Sequence, residues 1–495
     1  MRLVLLSFIF LFFLSTGSTL RTFKTGRSRH FSLGTPIIPN NAVLPEEQWF
    51  TQFLDHFNPV EGRTWQQRYF VNATFYKSGG PAFLMIGGEG TASPKWMLEG
   101  QWIEYAKQFG ALCFQLEHRF YGKSHPTFDT SIKNLAYLSS EQALADLAYF
   151  IEGMNESFKL SNGTKWIVFG GSYPGSLAAW MRLKYPHLVH GAVSSSGPLL
   201  AQIDFQQYYI VVENALKSYS EKCVEALLNA HKQFHAMLRH RVGQEGLAKK
   251  FNLCDPIDPG HTKKIDISNL YESIASIFAG IIQYNHDNRN NSASANYTVE
   301  SVCDTMINET IGIAIDRLAE ISNNILKANK EKCLDYRYDK MIREMRNVSW
   351  TSEDDAEGGR QWIYQTCTEF GFFQTSTARP QLFSETFPVD FFAQQCIDIF
   401  GPRYGMHLLE SAVKRTNTMY GALDIELTNV VFVHGSIDPW HALGITKSSN
   451  PNAPAIFIEG TAHCANMYPP SKNDPPQLQK ARVQVGQYID QWLKN

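Results

Sequence analysis

A serine inside a glycine-rich turn is the first residue in this chain whose setting suggests chemistry. Residues 169–175 have the sequence FGGSYPG, and they place Ser172 between an apolar strand pattern and a helical pattern. A strand, a sharp turn and a helix in this order form a nucleophile elbow, which lifts the serine hydroxyl above a sheet. Gly170 supplies the small residue needed two positions before the serine, whereas Pro174 stands where glycine is usual. The turn alone also fits a structural turn or a weak phosphate loop.

Two further polar residues follow apolar strand patterns near the C-terminus. Asp438 comes after the run VVFV at 430–433, and His463 comes after the run AIFI at 455–458. Open α/β sheets bind ligands at the carboxyl ends of their strands, and an α/β hydrolase orders its triad as serine, acid, histidine. In such a triad His463 would take the serine proton, and Asp438 would orient the imidazole and stabilise its cation. His441 remains an alternative base, and Asp438 could instead cap a turn.

An oxyanion hole needs two backbone N–H groups aimed at the developing negative charge. Tyr173 directly follows the candidate nucleophile and would supply one of them by the geometry of the elbow. The loop after an early strand commonly supplies the other, and the segment IGGEG at 86–90 fits that position. Gly88 or Glu89 is therefore the second candidate donor.

The elements that must position these residues alternate between strands and helices. Strand patterns occur at 81–86, 111–116, 166–169, 191–195, 430–433 and 455–458, and helical patterns at 141–154, 176–185 and 477–493. This alternation favours a mostly parallel sheet covered on both faces. Between about 205 and 346 the patterns are helical instead, at 208–241, 267–282 and 299–346. The expected fold class is α/β, an α/β-hydrolase fold with a large helical, disulfide-linked cap inserted between the nucleophile and the acid.

The expected organisation of the chain follows from these patterns. Residues 1–19 resemble a signal peptide, because a basic residue precedes an apolar run that is too short to span a bilayer. A membrane anchor is the alternative interpretation of that run, and no later segment is expected to be long and apolar enough to span. Residues 20–45 would be a pro-segment or a disordered arm. The hydrolase domain would occupy 46–200 and 401–495, and the cap 201–400.

Cysteines and glycosylation motifs indicate an oxidising compartment. The chain of 495 residues has eight cysteines, and none forms a CxxC pair. Cysteines 223, 254, 303, 333, 367 and 396 are expected to pair among themselves, which leaves Cys113 and Cys464 as candidate free thiols. N-glycosylation motifs, expected in surface loops, begin at Asn72, Asn155, Asn162, Asn290, Asn296, Asn308 and Asn347.

Several short motifs make the chain resemble the prolyl carboxypeptidase family of serine peptidases from about residue 49 onward. They are QFLDHF at 52–57, GGEG at 87–90, EHRFYG at 117–122, the GGSY elbow at 170–173, YQTCTE at 364–369, DPWH at 438–441 and AHC at 462–464. The details are most similar to the thymus-specific and invertebrate members. Two residues depart from the family pattern, Pro174 in the elbow and His434 where relatives commonly carry asparagine.

The resemblance implies a lysosomal, endosomal or secreted peptidase, often an exopeptidase that cleaves after proline. It suggests that Trp440, Tyr364 and Glu369 line the substrate pocket, with the aromatic rings stacking on proline. For Glu117 and Arg119 we expect a supporting salt bridge between the two. Two other functions stay open: an esterase or lipase on the same scaffold, and a non-catalytic binding protein.

Composition limits the partners. The net charge of −2 gives no strong field for nucleic acid or anionic lipid. We therefore expect no nucleic-acid or membrane partner, while the family resemblance implies a peptide substrate. We expect neither a cofactor nor a bound metal. A homodimer is the one protein assembly that we consider.

Overall fold

A computed structural model describes residues 33–286, 297–350, 358–379, 382–383 and 385–495. The expected signal peptide at 1–19 lies outside these residues, as does the first half of the 20–45 segment, residues 20–32. The acceptor residues Asn290 and Asn296 of two glycosylation motifs also lie outside them.

The strands build one large sheet and one small one. Their bounds are β1 Gln48–Phe53, β2 Thr64–Asn72, β3 Ala82–Ile86, β4 Leu112–Leu116, β5 Trp166–Gly171, β6 Val189–Ser195, β7 Gln202–Asp204, β8 Gly371–Phe373, β9 Val430–Gly435 and β10 Ala455–Ile458. Within the described residues the large sheet has eight strands in the order β1-β2-β4-β3-β5-β6-β9-β10. It is parallel from β4 to β10, whereas β2 runs antiparallel to both of its neighbours.

Helices cover the sheet and form the insertion. Their bounds are α1 Gln101–Phe109, α2 Ile132–Leu135, α3 Ser140–Ser157, α4 Tyr173–Lys184, α5 Gln207–Tyr219, α6 Glu221–Leu238, α7 Arg241–Lys250, α8 Lys264–Gln283, α9 Val299–Ile307, α10 Ala314–Ala328, α11 Tyr338–Met345, α12 Gly359–Gln365, α13 Val389–Phe400, α14 Met406–Tyr420 and α15 Pro476–Lys494. A π-helical turn, Thr366–Phe370, continues α12. The patterns at 208–241 and 299–346 therefore resolve into two and three separate helices.

Two apolar layers sandwich the large sheet, because successive strand side chains point to opposite faces. On β3, Leu84 faces the layer that contains α3 and α4, while Phe83 and Met85 face the layer that contains α1 and α15. On β5, Val168 faces the layer of α3 and α4, and Ile167 faces the layer of α1 and α15. The central strands are buried on both faces, and the α/β fold with a helical insertion is confirmed.

The insertion lies between β6 and β9 and forms the cap over one end of the sheet. Three disulfide bonds cross-link it, Cys223–Cys303, Cys254–Cys333 and Cys367–Cys396. Cys113 and Cys464 are free and buried. The predicted grouping of the cysteines is thus confirmed. Helix continues past residue 400 into α14, so the sheet resumes only at Val430.

Helix α8 is the apolar centre of the cap. Among the described helices it is the one that is long and apolar enough to cross a membrane by length and composition. The expectation that no later segment would reach that threshold is therefore wrong. Inside the protein, however, 78% of its most apolar window is buried, as in a core helix. Its C-terminal residue, Gln283, reaches the candidate site described below.

Glu117 and Arg119 do not pair with each other, which corrects the expected salt bridge. Both side chains are fully buried just after β4. Glu117 pairs with Arg68 and accepts a hydrogen bond from Ser124 Oγ at 2.7 Å. Arg119 binds both oxygens of Asp146 on α3 at 2.6 Å. Each residue is one position from His118, so the two ion pairs fix the loop on either side of that histidine.

One predicted glycosylation site does not fit the structure. Asn72 is buried at the end of β2, and its side-chain nitrogen donates to the Met97 carbonyl at 2.7 Å. A glycan on that nitrogen would break the bond and has no room, so Asn72 is not a surface acceptor. Asn162, Asn308 and Asn347 are exposed, and Asn155 is half-buried.

Candidate active site

Ser172 lies in a strained turn between β5 and α4. Its backbone has φ 65° and ψ −134°, a conformation that non-glycine residues rarely adopt. Hydrogen bonds hold the turn: Ser172 N donates to Ser195 O on β6 at 2.9 Å, and Gly175 N donates to Ser172 O at 2.8 Å. The neighbouring structure therefore imposes the strain, as expected for a nucleophile elbow.

Close packing against Pro174 explains why residues 170 and 88 are glycines. A Cβ on Gly170 would overlap the Pro174 carbonyl, and a Cβ on Gly88 would overlap the Pro174 ring. Proline is tolerated in the first turn of α4, where a missing N–H costs no helical hydrogen bond. The space that a glycine at 174 would have left is instead provided by Gly88 from the opposite loop.

Asp438 and His463 form a buried pair beyond the ends of β9 and β10. His463 Nδ1 lies 2.8 Å from Asp438 Oδ1, and both side chains are fully buried. The same carboxylate oxygen accepts a hydrogen bond from Trp440 N at 3.0 Å. Because β5, β6, β9 and β10 are parallel neighbours, this pair and Ser172 lie at one edge of the sheet.

The two loops that carry the pair are joined to each other and to their surroundings. Ile437 N donates to Thr461 O at 3.1 Å, which links the Asp438 loop to the His463 loop. Cys464 N donates to Ser196 Oγ at 2.9 Å, and His463 N donates to Gln283 O of the cap at 2.8 Å. The backbone on both sides of His463 is therefore fixed.

The electrostatics of the pair favour a charged imidazole. Burial opposes charge on His463, but the Asp438 carboxylate outweighs it and holds the pKa of His463 well above its ordinary value. Burial likewise opposes charge on Asp438, yet the adjacent His463 keeps the pKa of Asp438 below its usual value. The structure thus stabilises the ion pair that forms when His463 accepts a proton.

The third contact of a triad is not formed in this structure. Within the residues described, His463 Nε2 has no hydrogen-bond partner, although it is buried. Ser172, which is half-buried, therefore makes no hydrogen bond to it. Catalytic hydrogen bonds are often long without substrate and tighten in the reacting complex. His441, the alternative base, does not contact Asp438 through a side-chain hydrogen bond; its ring packs against Phe457.

His434 is the second departure from the family pattern, and it is fully enclosed. Neither of its ring nitrogens has a hydrogen-bond partner among the described residues. Gly444 lies against the ring so closely that a Cβ would overlap it. Burial lowers the pKa of His434 to about 4, although the nearby Asp438 opposes this. His434 is therefore neutral at ordinary pH and adds no charge beside the acid.

The candidate oxyanion donors surround the elbow. Tyr173 is the first residue of α4, where N–H groups have no acceptor within the helix. Gly88 touches Pro174, and Gly88 and Glu89 are both half-buried in the loop after β3. The N–H group of Tyr173 and the loop after β3 therefore both lie next to the turn at Ser172.

A directional hydrogen-bond chain holds the Tyr173 ring. His118 Nδ1 lies 2.7 Å from Arg119 O and must donate to it, so His118 Nε2 accepts from Tyr173 OH at 3.0 Å. Gln365 Nε2 donates to the same hydroxyl at 3.1 Å. Burial lowers the pKa of His118 to about 4, in keeping with a neutral ring. The sequence analysis missed this role; only the position of His118 inside the motif at 117–122 could have suggested it.

Glu369 ends that chain and is not free for substrate, which corrects its predicted role. Its carboxylate accepts from Ser140 N at 3.0 Å, from Ser140 Oγ at 2.6 Å and from Gln365 Nε2 at 3.2 Å. The side chain is buried and lies at the N-terminus of α3, where a negative group is favourable. Glu369 therefore connects the cap to α3.

The two predicted aromatic contacts differ in position. Tyr364 is buried in the cap against Phe400 and Tyr404. Trp440 lies beside the His463–Asp438 pair, with its ring centroid 6.4 Å from that of His463. Aromatic rings from the cap surround Trp440, at centroid distances of 5.4 to 5.8 Å: Phe205, Tyr208 and Phe372. Of the predicted substrate contacts, Trp440 is thus the one at the pair.

In the part of the chain that the structure describes, no cluster of three or more histidine, cysteine or acidic side chains is placed to hold a metal ion.

Comparison with known proteins gives consistent matches over nearly the whole chain. A family profile described as Serine carboxypeptidase S28 matches residues 52–485. The thymus-specific serine protease of Mus musculus is 34% identical over 490 residues, covering 96% of this chain and 92% of its own. The lysosomal Pro-X carboxypeptidase of Bos taurus is 27% identical over 461 residues, covering 90% of this chain and 88% of its own. A solved structure, the proline iminopeptidase of Mycobacterium smegmatis, covers 90% of this chain and 98% of its own with a TM-score of 0.40 and 11% identity.

Proposed function

The chain belongs to the serine carboxypeptidase S28 family and is a serine peptidase, and from that premise we propose that Ser172, Asp438 and His463 are its catalytic triad. The observation that carries the proposal is the buried hydrogen bond between His463 Nδ1 and Asp438 Oδ1, 2.8 Å long, at the sheet edge that bears the strained serine. The other two functions considered from the sequence, an esterase or lipase and a non-catalytic binding protein, are not supported by the family match.

The reaction proposed for this site has two stages. Ser172 Oγ attacks the carbonyl carbon of the scissile bond while His463 Nε2 takes its proton, and Asp438 stabilises the resulting cation. The N–H group of Tyr173 and one from Gly88 or Glu89 would bind the oxyanion. His463 then gives its proton to the leaving amine, which leaves an acyl ester on Ser172. Water, deprotonated by His463, hydrolyses the ester and releases the second product.

For specificity we propose an exopeptidase that favours proline next to the scissile bond. Two observations support this: the chain is similar to a protein named Pro-X carboxypeptidase, and Trp440 presents an aromatic ring beside His463. A flat ring can stack on the pyrrolidine ring of proline, which is a rigid apolar group. Trp440 is the residue that we assign to this contact.

A peptide library analysed by mass spectrometry tests the function. We expect the wild type to remove terminal residues from peptides with proline near one end. Ser172→Ala should fold, because the turn accepts a small side chain, and should lose about 10⁴- to 10⁶-fold in turnover. Ser218→Ala, which changes an exposed serine of the cap, is the control. A Ser172→Ala protein that keeps more than about a tenth of the activity contradicts the triad.

The chain follows the secretory or lysosomal route, as its three disulfide bonds and its similarity to a lysosomal relative indicate. We propose further that residues 1–19 are removed as a signal peptide and that residues 20–45 are a pro-segment or a disordered arm. N-terminal sequencing of the secreted protein tests both. The homodimer remains a prediction, which sedimentation velocity can check.

A further inference from the structure

We propose that Gln283 is a positioning residue, by which the cap holds the catalytic histidine and the acid loop in register; the inference rests on the proposed function. Gln283 is the last residue of α8 and contacts both loops. Its backbone carbonyl accepts a hydrogen bond from His463 N at 2.8 Å. Its side-chain oxygen accepts from Trp440 Nε1 at 3.0 Å. One cap residue therefore contacts the base directly and the acid loop through Trp440.

The hydrogen bond from His463 N to Gln283 O fixes the backbone of His463, which the Asp438 side chain does not contact. Asp438 holds Nδ1 of the ring, whereas Gln283 O holds the backbone N–H of the same residue. Tyr284, the next residue of the cap, packs edge-on against the imidazole with ring centroids 5.9 Å apart. Because Nε2 must point at Ser172 Oγ to accept its proton, the backbone position and the ring plane both matter.

The hydrogen bond from Trp440 to the Gln283 side chain helps to position Asp438. Trp440 N donates to Asp438 Oδ1, and the indole of the same residue donates to Gln283 Oε1. Gln283 Oε1 also accepts from Tyr208 OH at 2.6 Å, so two donors converge on one oxygen. Trp440 is thus held at both ends, between the acid and the cap. A shift of Gln283 would move Trp440 and, with it, the carboxylate that orients His463.

Helix α8 fixes the position of Gln283 and directs the negative end of its dipole towards His463. Most of the helix is buried in the cap, so its end is placed by core packing rather than by a surface loop. The carbonyls of the last turn of a helix have no acceptor role within it and carry the negative end of the helix dipole. Directed at His463, this end favours the imidazolium that forms during catalysis.

Two substitutions separate positioning from simple support. Gln283→Leu removes the acceptor for Trp440 and Tyr208 at similar volume. Gln283→Glu keeps the acceptor and adds a negative charge near His463. Gln233→Leu is the matched control, because Gln233 lies on α6 of the cap and its side-chain oxygen accepts a single bond, from Ile315 N at 2.8 Å. The control loses a cap hydrogen bond without touching either catalytic loop.

The first measurement is the rate constant for labelling of Ser172 by a small fluorophosphonate, which requires His463 as base but no peptide binding. We expect Gln283→Leu to lower it about 10- to 100-fold, and to lower kcat on a peptide similarly with KM nearly unchanged. Gln233→Leu should label at the wild-type rate. Labelling of Gln283→Leu at the rate of Gln233→Leu overturns the inference.

The second measurement is the pH dependence of labelling for Gln283→Glu. The groups that already act on His463 are the Asp438 carboxylate and Cys464, and the Tyr284 ring packs against it. The neutral His434 lies close enough to interact with both Asp438 and His463. A carboxylate at 283 should raise the pKa of His463 further and move the acidic limb to higher pH, while labelling at alkaline pH stays near that of the wild type. An acidic limb at the wild-type position overturns the inference, even if Gln283→Leu fails to fold. If Ser172→Ala is still labelled, the triad itself is wrong, which is a different failure.

Discussion

The buried contact between His463 and Asp438 determines how the peptidase should respond to pH. In the proposed triad His463 can act as a base only when it is neutral, and the structure favours its charged form because Asp438 lies 2.8 Å from Nδ1. Burial under the cap works in the opposite direction but does not prevail. Asp438 therefore makes His463 a stronger base, and it also raises the pH above which His463 is neutral.

The first prediction concerns this acidic limb. In the wild type kcat/KM should fall as pH drops through a single pKa above the ordinary histidine value of about 6.5. Asp438→Asn removes the main cause of the raised pKa, so the limb should move to lower pH while activity falls about 10⁴-fold. The measurement is kcat/KM from about pH 4 to 9, with Asp424→Asn, an exposed aspartate, as control. An Asp438→Asn protein with near wild-type activity and an unmoved limb would show that Asp438 is not the acid.

At the scale of elements, one buried carboxylate links the cap to α3. Glu369, on the π-helical turn after α12, accepts hydrogen bonds from both the backbone and the side chain of Ser140 at the start of α3. Burial raises the pKa of Glu369, although the Ser140 hydrogen bonds oppose it. No positive side chain bonds to it among the described residues, so these hydrogen bonds and the end of α3 carry its stabilisation.

The second prediction tests whether Glu369 supports structure or binds substrate. Glu369→Gln places an amide N–H group among the Ser140 donors, so one buried hydrogen bond is lost. We expect the free energy of unfolding to fall by about 1–3 kcal/mol, without a selective rise in KM. Urea denaturation and peptide kinetics measure the two, and Glu410→Gln, on the exposed side of α14, is the control. An unchanged stability with a raised KM would return Glu369 to the substrate pocket.

Elements near the elbow could be predicted from the sequence, because local patterns determine them. The apolar runs that became β3, β4, β5 and β9 are short and buried on both faces, which gives a clear signal. The run that became β10 is equally apolar, although that strand lies at the sheet edge and exposes Phe457. Helix α4 begins three residues earlier than its pattern indicated, at Tyr173, because the turn at Ser172 starts the helix directly. Glu369 and Gln283 could not be assigned, because their partners Ser140 and His463 lie about 200 residues away and no spacing connects them.

At the scale of the whole molecule, buried neutral histidines limit stability in acid. Burial lowers the pKa of His118, His231 and His434 to about 4 in each case. In the unfolded chain each would titrate near 6.5, so the unfolded state binds more protons between about pH 6.5 and 4. Each histidine therefore leaves the free energy of unfolding unaffected by pH above about 6.5 and lowers it progressively below that pH. The loss approaches about 3 kcal/mol per histidine at pH 4, large compared with a net stability of about 5–15 kcal/mol.

The third prediction isolates one of these histidines in the cap. His231 lies on α6 against Tyr271 and Phe383, and neither ring nitrogen has a partner within the described ranges. His231→Phe should weaken the dependence of the free energy of unfolding on pH between about 7 and 4, because one titrating group is removed. His235→Phe, on the exposed side of the same helix, should leave the slope unchanged. Equal slopes for both variants in urea denaturation would contradict the assignment.

The cap disulfides overlap along the chain, and this affects how the enzyme withstands other peptidases. Cys254 lies inside the loop that the Cys223–Cys303 bridge closes, whereas its partner Cys333 lies beyond that loop. Every peptide bond between residues 254 and 303 is therefore enclosed by both bridges. A single proteolytic cut there leaves the two fragments doubly tethered. Gln283 lies within this stretch, so after a nick beside it the fragment that carries α8 would stay covalently joined to the rest of the chain. Such a nick would be visible on a gel only after reduction, and an enzyme in a compartment rich in proteases could carry it without coming apart.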